Sequence, residues 1–396
     1  MQILIISQYF WPENFRINDL AVGLKESNIG VTILTGYPSY PNQHLFKNIK
    51  LNNYYNKMEV IRVPIFSRGE NKLSLFLNYL SFVFSAVFIG YFKLYSKKFD
   101  VIFVFQPSPI TSILPAIFFS KLKKTKTAIW ILDLWPDTLK PMGLLRNALI
   151  SKIAFNISNL IYKKIDLIFA QSISMSNLLK KRLPNNKIKY LPNWVEEDFF
   201  KNSIIKKKNK DKRFNIIFAG NLGLAQDFNS IIKAFVLIPN KSDFQLTLIG
   251  EGKEKVKIIS LVKENKLSEI IKFKKAVPLN EIPKILYQAD ALILALKKAD
   301  VFKITIPGKL QSYLAIGLPI ISMLSGESAS IIEKNKLGLN AKAGDYKSLA
   351  INIVKLKEMN KLDRDLMGKR GKEFAKNNFT RNIIIKNFIK QIKLIK

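Results

Sequence analysis

Three kinds of residue in this sequence could do chemistry: a lysine in a glycine-bearing turn, acids at the ends of apolar runs, and glycine corners that recur along the second half. The stretch TIPGKLQSYLAIGLPI at 305–320 sets Lys309 behind Pro307 and Gly308 and ahead of Gln311 and Ser312. Its pattern predicts a short helix over 309–315, a stop at Gly317 and a strand begun by Pro319. The free amides of such a helix suit an anion, Lys309 would add positive charge, and Gln311 and Ser312 would add neutral hydrogen-bonding groups. A buried crossover helix between parallel strands has the same pattern, so the remaining elements must decide.

Other corners repeat the theme. Gly220-Asn221-Leu222-Gly223 follows an apolar run at 215–219, Gly250-Glu251-Gly252 follows 244–249 with Lys253 next, and Gly326-Glu327 opens a further helix. Glycine lets a backbone approach a phosphate that a helix amino terminus then stabilises. Four corners at the same end of successive strands, near Gly220, Gly250, Gly308 and Gly326, are harder to read as plain turns than any one alone. In the first half, Glu13 sits with Tyr9, Trp11 and Arg16 in the loop after the strand at 3–7, and Asp133 and Asp137 follow the strand at 127–132. A carboxylate at the carboxyl end of a central parallel strand can orient or deprotonate a substrate hydroxyl. Asp137 also reads as a helix cap.

The elements that must position these groups alternate strand and helix throughout, which predicts an α/β chain of two Rossmann-like domains. Lys201 to Arg213 holds seven basic residues and almost no apolar ones, the sharpest break in composition. It is read as a linker at 201–213 between a first domain at 1–200 and a second at 214–379, with a terminal helix at 380–396 returning to the first. No G-x-G-x-x-G follows the first strand, which argues against a dehydrogenase. Cysteine is absent and His44 is the single histidine, which excludes disulfides and thiol chemistry and argues against a zinc or histidine-based metal site. The opening residues read as a strand and not as a secretion signal, so a cytoplasmic setting is expected.

Charge points outward. With 64 Lys and Arg against 29 Asp and Glu, the formal net charge of +35 predicts attraction to anionic surfaces. A nucleic-acid-binding protein would need a recognisable basic and aromatic module, and the sequence offers none, so no nucleic-acid partner is expected. Residues 73–95 form a long apolar and aromatic segment. Asn78, Ser81 and Ser85 within it favour a helix lying in a membrane face or packed against it over one that spans, and the lysines at 93, 97, 98, 121, 123, 124 and 126 would hold that face to anionic headgroups. The same arrangement also suits a helix buried in a soluble core with its rim solvated by the lysines.

Seven segments in order carry a more specific resemblance: SQYFWPE at 7–13, TGYPSYP at 35–41, DLWPD at 133–137, LPNWVEE at 191–197, FAGNLGLAQDF at 218–228, the stretch at 305–320 and SGE at 325–327. Together they resemble the bacterial glycosyltransferase family 4 enzymes, nearest to the N-acetyl-L-fucosamine transferases of O-antigen and capsule assembly. The resemblance implies a GT-B arrangement, two Rossmann-like domains facing across a cleft. It implies metal-independent, retaining transfer of an amino sugar from UDP to a polyprenyl-diphosphate-linked acceptor, at the cytoplasmic face of the inner membrane, with a UDP-sugar as substrate and no cofactor. A UDP-sugar epimerase shares the ligand and is the rival reading. By the same resemblance, 220–223 would lie near the diphosphate with Lys309, 250–252 near the nucleotide and Val277 near the base, while Glu13 and Asp133 would receive the acceptor. Pro307, Gly308, Gln311, Ser312, Gly326 and Glu327 complete the implied donor site. The sequence departs from the broader family at Asn221 and Gln226, where basic residues are usual, and at Ile304 and Ser312, where glutamates are usual. Lys309, Lys253 and Lys303 are then the cations nearest to hand.

Overall fold

Short apolar runs separated by helical segments must pair with later runs through crossovers, which yields parallel strands. The computed structural model describes residues 1–40, 43–46, 48–69, 71–141, 143, 145, 147–201 and 213–396, and it forms such a sheet twice. The first unit comprises Met1–Leu191 and Ile385–Lys396, the second Pro192–Ile384.

The first unit runs β1 Gln2–Ser7, α1 Arg16–Glu26, β2 Gly30–Gly36, β3 Tyr54–Tyr55, β4 Met58–Val63, α2 Lys72–Leu94, β5 Val101–Gln106, α3 Ile113–Lys123, β6 Lys126–Ile131, α4 Ala148–Tyr162, β7 Leu167–Ala170, α5 Ile173–Arg182 and β8 Lys187–Tyr190. Its sheet has the order β3-β4-β2-β1-β5-β6-β7-β8, parallel except for the short antiparallel pair β3 and β4. β5 and β7 are buried along their whole length, which is why they read as unbroken apolar runs. Strand order reverses at β1 and β5, so the loops that follow β1, β5 and β6 border the crevice where an open sheet takes ligand.

Helix α2 is capped by Asn71, whose side chain accepts from Ser74 N. Of the three polar residues that favour a helix along the face, Asn78 is fully buried. Buried Asn78 accepts from Gln8 Nε2 at 2.8 Å and donates to Phe66 O at 2.6 Å, with Phe82, Ala86 and Leu94 on the same side. Leu73, Phe76, Phe84, Phe88 and Phe92 point outward, each more than half exposed. By length and composition alone Leu73–Leu94 could cross a bilayer. The bonds of Asn78 instead fasten one side of the helix to its own sheet and leave an open apolar strip on the other.

The second unit continues with β9 Phe214–Ala219, α6 Phe228–Leu237, β10 Phe244–Ile249, α7 Lys255–Glu264, β11 Ile271–Lys274, α8 Ile282–Leu286, β12 Ala291–Ala295, α9 Asp300–Lys303, α10 Gly308–Ile316, β13 Ile320–Met323, α11 Glu327–Lys334, β14 Gly338–Ala341, α12 Tyr346–Glu358 and α13 Lys361–Asn378, and the last helix, α14 Arg381–Lys393, starts in it and belongs to the first unit from Ile385. Its wholly parallel sheet has the order β11-β10-β9-β12-β13-β14 and reverses at β9 and β12.

The units divide at other points than composition suggested. Residues 192–200 belong to the second unit because Val195 N bonds Phe379 O at 2.9 Å and Phe199 is buried in that unit's core. Residues from Ile385 onward belong to the first, where Phe388 packs edge-on to Phe103 with ring centroids 4.8 Å apart. Of the basic stretch read as a linker at 201–213, residues 202–212 lie outside the described residues, as does Pro41 of the TGYPSYP segment.

Candidate active site

In the second unit, the carboxyl end of β9 and the amino end of α10 are fixed to each other. Buried Tyr313, one turn after Lys309, accepts from Ala219 N through its hydroxyl at 2.8 Å. That bond sets the helix start over Gly220. The Lys309 side chain then lies along Gly220 and ends with its ammonium 5.2 Å from the centre of the Phe218 ring. A Cβ at Gly220 would stand 2.3 Å from Lys309 Cε, and the residue's φ of +139° is one that side chains rarely adopt. Glycine is therefore the residue that admits the lysine.

The next corner is laced to this one. Leu222 N donates to Glu251 O at 2.8 Å and Glu254 N donates to Leu222 O at 3.0 Å. Gly250 approaches so closely that a Cβ there would meet Gly220 O at 2.0 Å. On the far side of α10, Ser328 Oγ donates to Thr305 O at 3.0 Å, which draws the start of α11, with Gly326 as its N-cap and Glu327 as its first residue, to the same rim. Gly220, Gly250, Lys309 and Gly326 thus surround one mouth at the switch point of the second sheet.

Electrostatics suit that mouth to an anion. Burial pushes the Lys309 ammonium down to about 8, because no carboxylate among the described residues comes to it and a cation–π contact restores only part of the lost hydration. Pro307 is the N-cap of α10, and the first-turn amides of Gly308 and Lys309 have no intrahelical acceptor. Space lies open where Gly308 would carry a Cβ. A diphosphate is the sort of anion that an ammonium, a helix amino terminus and a glycine cradle can hold together.

The other expected donor residues divide. Asn221 and Lys253 are exposed at the rim, Gly223 and Gly252 belong to the laced corners, and Ser312 is half-buried on α10. Val277 sits in the turn after β11, beside the strand that carries the Gly250 corner. Two readings need correction. Leu222 has its side chain wholly in the core, and both its N–H and its C=O are already bonded. Gln311 is buried and donates to Asn193 O at 2.9 Å, so it anchors α10 rather than edging a ligand. Lys303 is engaged by Asp300 at 2.7 Å, which leaves Lys309 as the cation set into the mouth.

In the first unit three acids have three different fates. Glu13 is buried, and its carboxylate accepts from Phe10 N at 3.2 Å, Ser39 N at 2.9 Å and Tyr40 N at 2.6 Å. Desolvation lifts its pKa to about 7 against the pull of those amides. It acts as a clasp between the loops after β1 and β2, so its expected role as an acid exposed to an acceptor is corrected to one of positioning. Asp137, paired with Asp133 in the sequence reading, is bound by both terminal nitrogens of Arg182 at 2.8 Å and is structural. Asp133 remains half-buried at the end of β6 with its carboxylate lacking a hydrogen-bond partner among the described residues, and desolvation alone raises it to about 7. Its main-chain oxygen is held by Gln106 Nε2 at 3.1 Å, and Gln106 is held in turn by Tyr162. That chain fixes the loop while leaving the acid free to take a proton or a hydroxyl.

Tyr313 and Phe218 were not singled out in the sequence. The spacing of Lys309 and Tyr313 places them on one helix face, and that is the signal that could have found the tyrosine. Among the described residues no group of three or more His, Cys, Asp or Glu side chains is placed to hold a metal ion.

Residues 200–374 match the family model of glycosyl transferases group 1. An uncharacterized glycosyltransferase of Methanocaldococcus jannaschii is 24% identical over 402 residues, covering 98% of this chain and 97% of the relative. The N-acetyl-alpha-D-glucosaminyl L-malate synthase of Bacillus anthracis is 24% identical across 56% of this chain and 58% of its own length. Among solved structures, Anabaena HepE in complex with UDP superposes with a TM-score of 0.73 at 12% identity, over 99% of this chain and 100% of that one. Sucrose-phosphate synthase from Thermosynechococcus elongatus gives 0.77 at 15%, over 99% and 98%. With two Rossmann-like units and a group 1 match on the second, the chain is a glycosyltransferase of the GT-B fold.

Proposed function

We propose that this glycosyltransferase takes an N-acetylated deoxyamino sugar from its UDP derivative and adds it, with retained anomeric configuration, to a polyprenyl-diphosphate-linked sugar at an anionic membrane surface. The observation that carries the reading is the Lys309 ammonium, sunk against Gly220 at the start of α10 with no acid among the described residues to neutralise it. Such a cation is under-solvated until an anion arrives. The superposed Anabaena HepE is a complex with UDP, and a UDP diphosphate meets that need. The amino sugar and the lipid acceptor are supported by the seven motif segments, and the membrane by the apolar strip of α2.

The chemistry asked of the residues is modest. As the bond from the anomeric carbon to the β-phosphate oxygen breaks, its electron pair passes to the diphosphate, and Lys309 with the helix amides stabilises the growing charge. The acceptor hydroxyl forms the new glycosidic bond on the same face and gives its proton to the departing phosphate oxygen. Asp133 orients that hydroxyl, and Glu13 keeps the acceptor loops in shape.

The test is turnover of a panel of UDP-N-acetyl amino sugars with a polyprenyl diphosphate sugar, followed by mass spectrometry. An acceptor heavier by one deoxyamino sugar residue supports the proposal. Isomerisation of the UDP-sugar without acceptor would establish an epimerase instead.

A further inference from the structure

Helix α4 is folded inside out. Its buried positions are Ser151, Ser158 and Tyr162, whereas Leu149, Ile150, Ile153, Ile157 and Leu160 are each at least half exposed. At 100° per residue these five fall within one face of the helix. A soluble helix does the reverse, because turning aliphatic side chains to water forgoes the burial that stabilises packing.

The charge around this face has one sign. From 138 to 165 the sequence has no acidic residue, while Lys140, Lys152, Lys163 and Lys164 are basic. The helix runs directly into a cavity of about 710 Å³ at the amino ends of β6, β7 and β8, lined by Lys163, Lys164 and Lys187 among others. Lys126 beside them is neutralised by Asp166 at 2.9 Å and Arg182 by Asp137. No carboxylate bonds Lys163, Lys164 or Lys187 among the described residues.

We infer that α4 is a bilayer-contacting helix, with its Leu and Ile face in the acyl boundary and a lipid phosphate held at Lys163 and Lys164 in the mouth of the cavity. An apolar face that ends in a cluster of lysines without carboxylate partners fits an anionic lipid surface. A protein partner would have to supply a complementary acidic rim. The inference rests on the membrane reading proposed above and deepens it, since it gives the first unit a second contact besides α2 and names the lipid chemistry.

The experiment is co-sedimentation of the full-length protein with phosphatidylcholine vesicles, with and without phosphatidylglycerol. Ile153→Asp/Ile157→Asp tests the face, Lys163→Ala/Lys164→Ala the headgroup contact, and Phe84→Asp/Phe88→Asp provides the α2 comparison. All these positions are exposed, and thermal melting checks that each variant folds. The α4 face variant is expected to lower partitioning at least tenfold on both vesicle types. The lysine variant is expected to lose about 30-fold on phosphatidylglycerol vesicles and little on neutral ones.

Wild-type binding by the α4 variants alongside lost binding by the α2 variant overturns this inference and leaves the membrane reading intact. Failure of the wild-type protein to bind any vesicle overturns both. A lysine variant that loses inorganic phosphate binding yet keeps vesicle binding shows a site for soluble anions. A face variant that changes only lipid-free self-association, read by sedimentation velocity, shows an interface between copies. Either result overturns the lipid assignment.

Discussion

Replacing Lys309 with methionine should weaken UDP binding while making the protein more stable. Methionine keeps most of the aliphatic packing over Gly220 and Phe218 and removes the charge. A charge-assisted hydrogen bond contributes about 1.5–3 kcal/mol, so the dissociation constant for UDP should rise about 10- to 150-fold. Stability should move the other way. Burial lowers the ammonium to about 8 in the folded chain from its ordinary value of 10.5. The unfolded chain therefore binds more protons between those values. By linkage, stability rises with pH through that window, and below pH 8 the folded protein carries the full penalty of an under-solvated cation. Lys309→Met removes that penalty, so at pH 7 its melting temperature should rise, and the wild-type gain in stability from pH 8 to 10 should vanish in the variant. Titration calorimetry with UDP and scanning calorimetry at pH 7 and 9.5 read both effects. Unchanged UDP affinity would remove Lys309 from the diphosphate site. A marked fall in melting temperature would show that the lysine stabilises the corner rather than waiting there for an anion.

Three further outcomes follow from the same geometry. Gly220→Ala should impair UDP binding about as much as Lys309→Met, because its Cβ would displace Lys309 from a contact of 2.3 Å and φ of +139° adds about 1–2 kcal/mol of strain; calorimetric titration with UDP checks it. Turnover should fall as pH drops through about 7, where Asp133 protonates; Asp133→Asn should flatten that limb and lower kcat by about 10- to 150-fold, the loss of one orienting charge-assisted hydrogen bond, with Glu13→Gln keeping the limb as a control. Glu13→Ala should destabilise the chain by about 3 kcal/mol or more in denaturant titrations, since three buried amides lose their acceptor. Because the folded pKa of Glu13 is raised to about 7 from 4.5, its contribution to stability is full below pH 4.5 and is lost as pH rises to 7, a slope that Glu13→Gln should remove.

The glycine corners and the helix start around Lys309 are legible in the sequence because their signals are local. Glycine corners after apolar runs, and a lysine at the start of a helix bounded by Pro307 and Gly317, report backbone conformation directly. The edge strands were illegible for the opposite reason. β8 is Lys-Ile-Lys-Tyr and β14 is Gly-Leu-Asn-Ala, and both are strands only because β7 and β13 present an edge to them. The acids show a similar limit. Nothing near Asp137 in sequence announces Arg182, and the amides that claim Glu13 come partly from residues 39 and 40, across a tertiary contact. The spacing of Leu149, Ile150, Ile153, Ile157 and Leu160 marks α4 as amphipathic, but which face it buries depends on what the sheet offers it.

The central claim, that Lys309 waits for a diphosphate, is tested most directly by titrating its side chain. Protein labelled with 13C at lysine Cε, with the Lys309 resonance assigned by its loss in Lys309→Met, gives the pKa by NMR with and without UDP. A free value near 8 that moves up by at least one unit when UDP binds, with matching proton uptake at pH 8, is the predicted result. A Lys309 resonance that titrates as an ordinary exposed lysine, or that ignores saturating UDP, would contradict the account.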